Sequence, residues 1–319
     1  RRIKLYFNIV NLLLFGIAVT WAASTWRADH WDISRPVVTV DLSQKLQSNI
    51  DLPSLLEKHA KETGRAIIVA ASGGGSRAAT YTAAALQGLD RLGASNDLVL
   101  LSGVSGGGVA LGYFAAHRQA LLHNEPSSWE RFQHAMAFPF VQDVLEGAQE
   151  IRIAGPEPLT RLLVESFDRQ FARPTTFGEL ADVGLLLNTT VSGHPASQSA
   201  ALHAFLQTYT PAEKPTLARP YSWFSGGRLV FTNLSGDILR SGRGDRHGLY
   251  LPFVVLQAPH IRIAEAAALN ANFPPVFPNA RVAIRETSDS TAHISYYVTD
   301  GGATENLGLL SALYVLRDA

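Results

Sequence analysis

The sequence predicts an α/β protein with a mainly parallel central sheet. Two apolar runs, Ala66 to Ala71 and Leu98 to Leu101, each end in a glycine cluster, and each cluster leads into an alanine-rich helical pattern. A strand, a glycine turn and a helix, repeated within one short stretch, form a βαβα unit. Carboxyl ends of neighbouring parallel strands share one edge of a sheet, so we expect the two glycine turns side by side there.

Composition limits the classes of function. The 319 residues are 46% hydrophobic and 17% charged, which is typical of a globular domain with attachments. The formal net charge is zero and no basic stripe is visible, so nucleic acid is not an expected partner. Cysteine is absent, which excludes thiol catalysis, disulfides and cysteine-bound zinc. We predict neither a metal nor a cofactor.

Residues 1–26 are predicted to be a transmembrane anchor. Basic residues precede an uncharged stretch from Leu5 to Ala23, and about 20 such residues span the ~30 Å hydrocarbon core of a bilayer. The basic flank places the N-terminus on the cytoplasmic side and the globular part on the other side. The span would be the only one or the last of several. A cleaved signal peptide, which Trp21 disfavours, and a core or interfacial helix are the alternatives.

Residues 27–64 are predicted to be a polar stalk followed by a leading helix, and 65–319 a catalytic domain. The helix is expected from Pro53 to Thr63, with proline in the first turn and Gly64 after the end. The βαβα unit follows it.

The chain beyond the unit continues with helices and then strands. Spacings of three and four among Trp129, Phe132, Met136 and Phe140 predict a helix whose aromatic face is more typical of core than of a ligand site. Residues 158–171 predict an amphipathic helix.

Four strands and two helices are predicted in the remainder. The strands are expected over 184–191, 228–233, 281–285 and 293–299, the last two as a hairpin, and the helices over 260–269 and from about 309 to 316. A long excursion separates the first two strands.

Gly103-Val-Ser-Gly106-Gly107 fits the Gly-x-Ser-x-Gly pattern of a nucleophile elbow, in which Ser105 is the nucleophile. The glycines suit a strained strand-to-helix turn, and the helix N-terminus favours developing negative charge. The pentapeptide alone is a weak signal, but a predicted strand before it and a helix after it supply the context it requires.

The first glycine turn, Gly73 to Gly75, offers consecutive backbone N–H groups without neighbouring side chains. Such a loop can form an oxyanion hole or cradle a phosphate. The Gly-Lys-Ser/Thr ending of a P-loop is absent, which disfavours nucleotide binding. Arg77 is a candidate for binding a lipid phosphate or for bracing the loop.

A serine nucleophile needs a general base. Among the ten histidines, His194, His260 and His293 are the best candidates, although each is more typical of a structural or surface histidine. Asp300 is the stronger candidate because it directly follows a predicted strand and precedes two glycines. The competing interpretation is an aspartate that merely initiates a turn.

Three ordered motifs resemble those of the patatin-like phospholipases: Ser72-Gly-Gly-Gly-Ser-Arg77, Gly103-Val-Ser-Gly-Gly107 and Asp300-Gly-Gly302. The first, and Asp300-Gly-Gly-x-x-Glu-Asn306, are also similar to the catalytic core of cytosolic phospholipase A2. Weaker similarities to the family lie between these motifs. In one of them Asn270 stands where the family usually has a serine. The similarity covers roughly residues 65–316.

The resemblance implies a three-layer α/β/α fold and a Ser105–Asp300 dyad with the Gly73 to Gly75 amides as oxyanion hole. It also implies hydrolysis of ester bonds in membrane lipids, of the phospholipase A or lysophospholipase type. Two alternatives remain: an esterase that uses a histidine base, and a non-catalytic lipid-binding scaffold on the same fold.

Overall fold

The computed structural model describes residues 16–17, 36–41, 50–123, 125–150, 159–193, 227–234, 253–257, 259–274, 276–285 and 294–319. The strands are β1 Val38–Asp41, β2 Ile67–Ala71, β3 Leu98–Val104, β4 Gly184–Gly193, β5 Arg228–Thr232, β6 Phe253–Gln257, β7 Ala280–Arg285 and β8 Ile294–Asp300. The helices are α1 Leu52–Glu62, α2 Gly75–Arg91, α3 Ser105–Leu122, α4 Ser128–Ala137, α5 Phe140–Glu150, α6 Leu159–Phe171, α7 Ile263–Asn270 and α8 Leu309–Asp318.

The strands form one sheet of mixed direction. Its order is β1-β7-β8-β4-β3-β2, and β5 joins β4 to β6. Pairs β1–β7, β2–β3, β3–β4 and β5–β6 are parallel, whereas β8 runs antiparallel to both β4 and β7, and β5 antiparallel to β4. The sheet is therefore mostly parallel, as predicted, and the predicted hairpin is the β7–β8 pair.

Strand β4 organises the centre of the sheet. Leu186 to Asn188 pair with β3, Thr189 to Val191 pair with β8, and β5 pairs across both groups. Because β5 occupies one edge of β4, β3 and β8 lie one after the other along its opposite edge. They run in opposite directions, so their carboxyl ends meet there.

Helices cover both faces of the sheet, which gives three layers. Side chains alternate between faces along a strand, and accordingly Leu185 and Leu187 join the larger apolar cluster with α2, α3, α4, α6 and α7. Leu186 and Val230 face the other way and join the smaller cluster with α1 and α8. Trp129, Phe132 and Met136 of α4 are buried in the larger cluster, as their spacing predicted. Phe140, the fourth member of the predicted stripe, instead begins α5 and is partly buried against the same cluster.

Two strands were not predicted. Residues 38–41, inside the expected stalk, form β1 and pair in parallel with β7, so this part of the segment belongs to the sheet. Residues 253–257 form β6 beside β5. The leading helix is confirmed: Asp51 caps it by accepting a hydrogen bond from the Ser54 amide, with Pro53 in its first turn.

The predicted anchor, residues 1–26, lies outside the described residues except for Gly16 and Ile17, which are helical. Among the described helices, none is both long and apolar enough to cross a bilayer. The anchor remains a prediction.

Candidate active site

Ser105 lies at the strained turn between β3 and α3. Its φ of 51° is in the left-handed region, which a residue with a side chain adopts at a cost of roughly 1–2 kcal/mol. Such strain persists only where the surrounding structure enforces it, and it is common at functional sites. The side chain is largely buried, at 8% exposure. The predicted strand, elbow and helix are all present.

Close packing of glycines enforces this turn. A Cβ at Gly103 would overlap Gly108 of α3, so the helix crosses the strand at backbone distance. A Cβ at Gly106 would overlap the Gly75 carbonyl, and one at Gly107 would lie 2.5 Å from the Ser72 carbonyl. The two glycine turns therefore touch, as their expected positions at one sheet edge require.

Asp300, the last residue of β8, is 2% exposed. Its Oδ1 accepts a hydrogen bond from the Gly302 amide at 2.7 Å. Its Oδ2 is also buried and, within the described ranges, has no donor at normal hydrogen-bond geometry. One carboxylate oxygen is thus held by the backbone while the other is left without a close partner.

The structure brings Asp300 to Ser105. Burial raises the pKa of Asp300, and the nearby Ser105 hydroxyl and the bond from the Gly302 amide lower this pKa in part. Ser105 is therefore close enough to favour the charged carboxylate, although Oδ2 has no donor at normal hydrogen-bond geometry among the described residues. Hydrogen bonds between catalytic groups are often long until substrate binds.

Asp300 lies at the carboxyl end of its strand, as expected, and this strand approaches Ser105 from the opposite direction to β3. β8 is antiparallel to β4, whereas β3 is parallel to it. Val104 pairs with Asn188 and Asp300 pairs with Thr189, so consecutive residues of β4 hold the two candidates together.

The first glycine turn lies beside Ser105. Within the described structure, one of its three amides is already hydrogen-bonded, and the other two are not. Gly73 donates its N–H to the Asn306 carbonyl at 2.9 Å, and a Cβ on Gly73 would lie 3.2 Å from the Ser105 Cβ. Gly74 and Gly75 adopt φ values of 142° and 61°, which favour glycine, and both are exposed. No acceptor among the described residues takes their N–H groups.

Asn306 was not predicted as a site residue, yet it connects the Asp300 loop to the first glycine turn. Its carbonyl holds Gly73, and its side chain occupies the space that a Cβ on Gly73 or Gly302 would need. The Asp300 loop therefore positions the first glycine turn as well as the carboxylate.

Arg77 lies in the first turn of α2 and is exposed. Within the described part of the chain its guanidinium forms no hydrogen bond or ion pair, so no contact supports a role in bracing the loop.

Among the described residues, no histidine forms a hydrogen bond with Ser105. His260 bonds instead to the Thr39 carbonyl at 3.1 Å, and so joins β1 to the turn before α7. His194 and His293 lie outside the described residues. In the described structure, Asp300 is the titratable group that interacts with Ser105.

A buried network of polar side chains forms hydrogen bonds to the end of β3, directly before Ser105. The Asn188 amide group donates to the Gly103 carbonyl at 2.9 Å and to Ser102 Oγ at 3.2 Å. Asn188 Oδ1 accepts from Ser311, which in turn accepts from the buried Arg228 at 2.9 Å. The sequence pattern alone did not predict this role, although the polar Asn-Thr-Thr run inside an apolar strand is a signal for it.

Asn270, which departs from the family pattern, lies on the other side of the same turn. It donates to the carbonyls of Gly103 and Asn188, and its side chain fills the space next to Gly108. The asparagine therefore stabilises the turn in this chain.

An apolar groove of about 570 Å³ begins beside the first glycine turn. Ser76 lines one side, and Phe140, Val141 and Leu145 of α5 line the other, together with Pro139 and the polar residues Gln142 and Glu146. Val141 and Leu145 are both nearly half exposed. The volume lies within the usual range for ligand sites, roughly 300–1,000 Å³.

The described residues contain no group of three or more histidine, cysteine, aspartate or glutamate side chains that could hold a metal ion.

Comparisons with known proteins leave the family open. No protein-family model and no curated protein matches the chain. Among solved structures it is similar to human GIVD cytosolic phospholipase A2, with a TM-score of 0.32 and 13% identity over 75% of this chain and 34% of that one. The chain thus spans about a third of that protein's length. A likeness this weak carries no weight for function, and membership of the patatin-like family stays a prediction.

Proposed function

We propose that the protein is a serine hydrolase that cleaves carboxylic esters of membrane lipids through a Ser105–Asp300 dyad. One observation carries this proposal: a serine on a strained elbow lies beside a buried carboxylate whose pKa is raised and whose Oδ2 has no close partner in the described structure. Burial makes a carboxylate a stronger base, which is what a serine hydroxyl requires.

In the proposed reaction, Ser105 Oγ attacks the ester carbonyl carbon while its proton passes to Asp300. Collapse of the tetrahedral intermediate expels the alcohol, which takes the proton from Asp300. Water then attacks the acyl-serine, giving its proton to Asp300, and the carboxylic acid leaves as Ser105 recovers its proton.

The oxyanion of this intermediate would accept hydrogen bonds from the Gly74 and Gly75 amides. Gly73 is a weaker candidate than the sequence suggested, because its amide already bonds to Asn306. Gly106 is an additional candidate, since the residue after the nucleophile commonly donates in this type of elbow. Each donor of this kind typically contributes roughly 10²–10³-fold in rate.

An acyl chain is the substrate group best suited to the groove between Ser76 and α5. The groove opens next to the glycine turn and is lined mainly by apolar side chains. Apolar area removed from water contributes about 25 cal/mol per Å², which favours a long chain over a short one.

Residues 1–26 would hold the enzyme at the bilayer, with the catalytic domain on the non-cytoplasmic side. Support for this part of the proposal is the sequence alone: an uncharged stretch of spanning length with basic residues before it.

Hydrolysis of phosphatidylcholine and lysophosphatidylcholine, with mass spectrometry of the products, tests the function. We expect free fatty acid from the wild-type protein and none above background from Ser105→Ala. Release by both proteins to the same extent would rule out Ser105 as the nucleophile. A lack of release by either would favour the lipid-binding scaffold.

A further inference from the structure

Exposed large apolar side chains surround the end of the fold where Ser105 lies. Six of them form a surface that we call the apolar rim: Val141, Leu145, Phe273, Leu307, Leu309 and Leu310. Each is at least 36% exposed. They come from three separate parts of the chain, so the rim is not simply the outer side of one helix. Exposed apolar patches of this kind mark surfaces that contact an apolar partner.

Phe273 lies next to the backbone of Asp300. The residue before it, Asn272, accepts a hydrogen bond from the Asp300 amide at 3.1 Å. The Asn272 side chain is fully buried and bonds to Thr160 at 2.6 Å and to the Pro278 carbonyl at 2.8 Å. The loop is therefore held in place, yet Phe273 is 57% exposed. A fixed loop that presents an aromatic ring to solvent is suited to binding rather than to packing.

Leu307 lies on the far side of the Asp300 loop. It follows Asn306, whose carbonyl accepts the Gly73 amide at 2.9 Å, and it is 59% exposed. Its own amide donates to Glu305 Oε1 at 2.6 Å, which fixes this turn as well. Two exposed apolar side chains thus stand on either side of the proposed base.

The first turn of α8 extends the rim. Leu309 and Leu310 directly follow Gly308, whose carbonyl accepts a hydrogen bond from the Ser102 hydroxyl at 2.6 Å. Ser102 is three residues before Ser105 on the same strand and elbow. This turn of α8 therefore begins at the end of the sheet that carries the site.

Helix α5 borders the rim on the side of the first glycine turn. Val141 and Leu145 share the apolar groove with Ser76, the residue after Gly75. The Gly75 carbonyl in turn lies against Gly106, directly after the nucleophile. The proposed acyl groove consequently opens onto the rim.

Charged side chains give the rim no positive surplus. Within 72–81, 139–146, 270–278 and 301–313 the charged residues are Arg77, Asp143, Glu146 and Glu305. Asp143 forms an ion pair with Arg169, and Glu305 accepts the Leu307 amide. Arg77 and Glu146 are both exposed and opposite in charge. Contact with this surface is thus expected to be apolar rather than electrostatic.

We propose that the apolar rim is the face that enters the surface of a phospholipid bilayer, with Phe273 and Leu307 in contact with the acyl chains. In line with the proposed function, on which this inference rests, a lipid ester must pass from the bilayer to Ser105. A bilayer suits the rim better than a protein partner does, because a protein seated there would cover the groove that admits the substrate. The charge balance favours a zwitterionic bilayer, and binding strength at such surfaces scales with the apolar area buried.

Site-directed spin labelling tests this face, because a chain without cysteine accepts one label at a chosen position. Phe273→Cys, Leu307→Cys and Leu92→Cys are each made in the full chain carrying Ser105→Ala, which keeps the lipid intact, and are mixed with phosphatidylcholine vesicles. An anchor at residues 1–26 would bring every variant to the vesicle, so the depth of the label is measured rather than binding.

We expect the labels at 273 and 307 to collide more often with dissolved oxygen and less often with a water-soluble nickel complex once vesicles are present. The label at 92, where the native leucine is 79% exposed after the last turn of α2, should keep its aqueous values. Added salt should not reverse the change, because screening acts on charges.

A matched activity measurement uses the double variant Phe273→Asp with Leu307→Asp. Its kcat/KM on phosphatidylcholine vesicles should fall about tenfold, since two charges replace apolar side chains that enter the bilayer. Hydrolysis of a soluble short-chain ester should be unchanged. Leu92→Asp should keep both activities, and circular dichroism establishes that each variant folds.

Three results would each reject the docking face. The labels at 273 and 307 stay in water as the label at 92 does, the double variant matches Leu92→Asp on vesicles, or both labels become shielded without vesicles as the protein concentration rises. The last result would assign the rim to a second copy of the chain. Because the labelled proteins carry Ser105→Ala, labels that enter the bilayer support the face even if the wild type hydrolyses neither ester, which would reject the hydrolase alone.

Discussion

Ser105 and Asp300 stand at the ends of two strands that approach each other along one edge of β4. The residue before Ser105 pairs with Asn188 and Asp300 pairs with Thr189, so the site depends on the register of a single strand. A slip of two residues in the β4–β8 pairing would move the carboxylate by ~7 Å. The strand pairing that forms the sheet therefore also sets the position of Asp300 relative to Ser105.

The dyad predicts that Asp300→Asn and Ser105→Ala lose ester hydrolysis to a similar extent, by about 10³-fold or more in kcat. The double variant should be no worse than either single one, because the two groups act in one step. His260→Gln should keep its activity, since His260 bonds to β1 rather than to the site. Full activity in Asp300→Asn, measured with a soluble ester, would reject the dyad.

The pH dependence of ester hydrolysis should reflect the protonation of Asp300. A base works only when deprotonated, and burial raises the pKa of this carboxyl. Activity should therefore fall as the pH drops through a value above the ordinary aspartate pKa of about 4. The kcat/KM of the wild type measured across the acid range tests this, with circular dichroism at each pH to exclude unfolding.

The same shift predicts how stability depends on pH. A pKa raised by folding contributes stability below the unfolded pKa, and this contribution is lost as the pH rises through the folded value. Asp300→Asn should accordingly gain in unfolding free energy relative to the wild type at neutral pH, and the gain should shrink in acid. A constant difference across the range would contradict the burial of the charged form.

Contact between the glycine turns predicts contrasting effects of two glycine substitutions. Gly106→Ala would place a methyl group on the Gly75 carbonyl, so we expect loss of activity and a clear loss of stability. Gly88→Ala, in the last turn of α2, meets nothing within 4 Å. It should be neutral or stabilise the helix by roughly 0.5–1 kcal/mol. Urea unfolding of both variants tests the contrast, and equal effects would contradict the packing of the two turns.

The acyl groove predicts a change in chain-length preference. Val141→Asp would replace an apolar groove residue by a second carboxylate, in addition to Glu146, and should lower kcat/KM for long-chain esters about tenfold, with little effect on acetate esters. Leu92→Asp is the matched control, because Leu92 is 79% exposed beyond the far end of α2. If both variants lose long-chain activity equally, the groove is not the acyl site.

Local signals predicted much of this molecule. Glycine turns after apolar runs located β2, β3 and their helices, and the elbow followed from the residues around Ser105. Strand direction could not be read in the same way, because β8 looks the same along the chain whether it pairs parallel or antiparallel. β1 was missed because its four residues follow a polar segment and pair only with a strand more than 200 positions away.

The hydrogen bonds that hold the turn before Ser105 could not be predicted from the sequence pattern either. Asn188 and Asn270 stand in apolar surroundings and hold the Gly103 carbonyl from two elements. Their importance depends on which backbone groups the fold leaves unpaired, a property of tertiary structure. Gly73 is the opposite case. The sequence predicted that its amide was available as a donor, but in the fold this amide bonds to the Asn306 carbonyl.

Labelling with a fluorophosphonate, followed by peptide mass spectrometry, tests the central claim most directly. Such a probe reacts much faster with an activated serine than with an ordinary one. We expect the label on Ser105 of the wild type, none on Ser105→Ala, and strongly slowed labelling of Asp300→Asn with its fold intact. Equal labelling of wild type and Ser105→Ala, or attachment to another serine, would contradict the account.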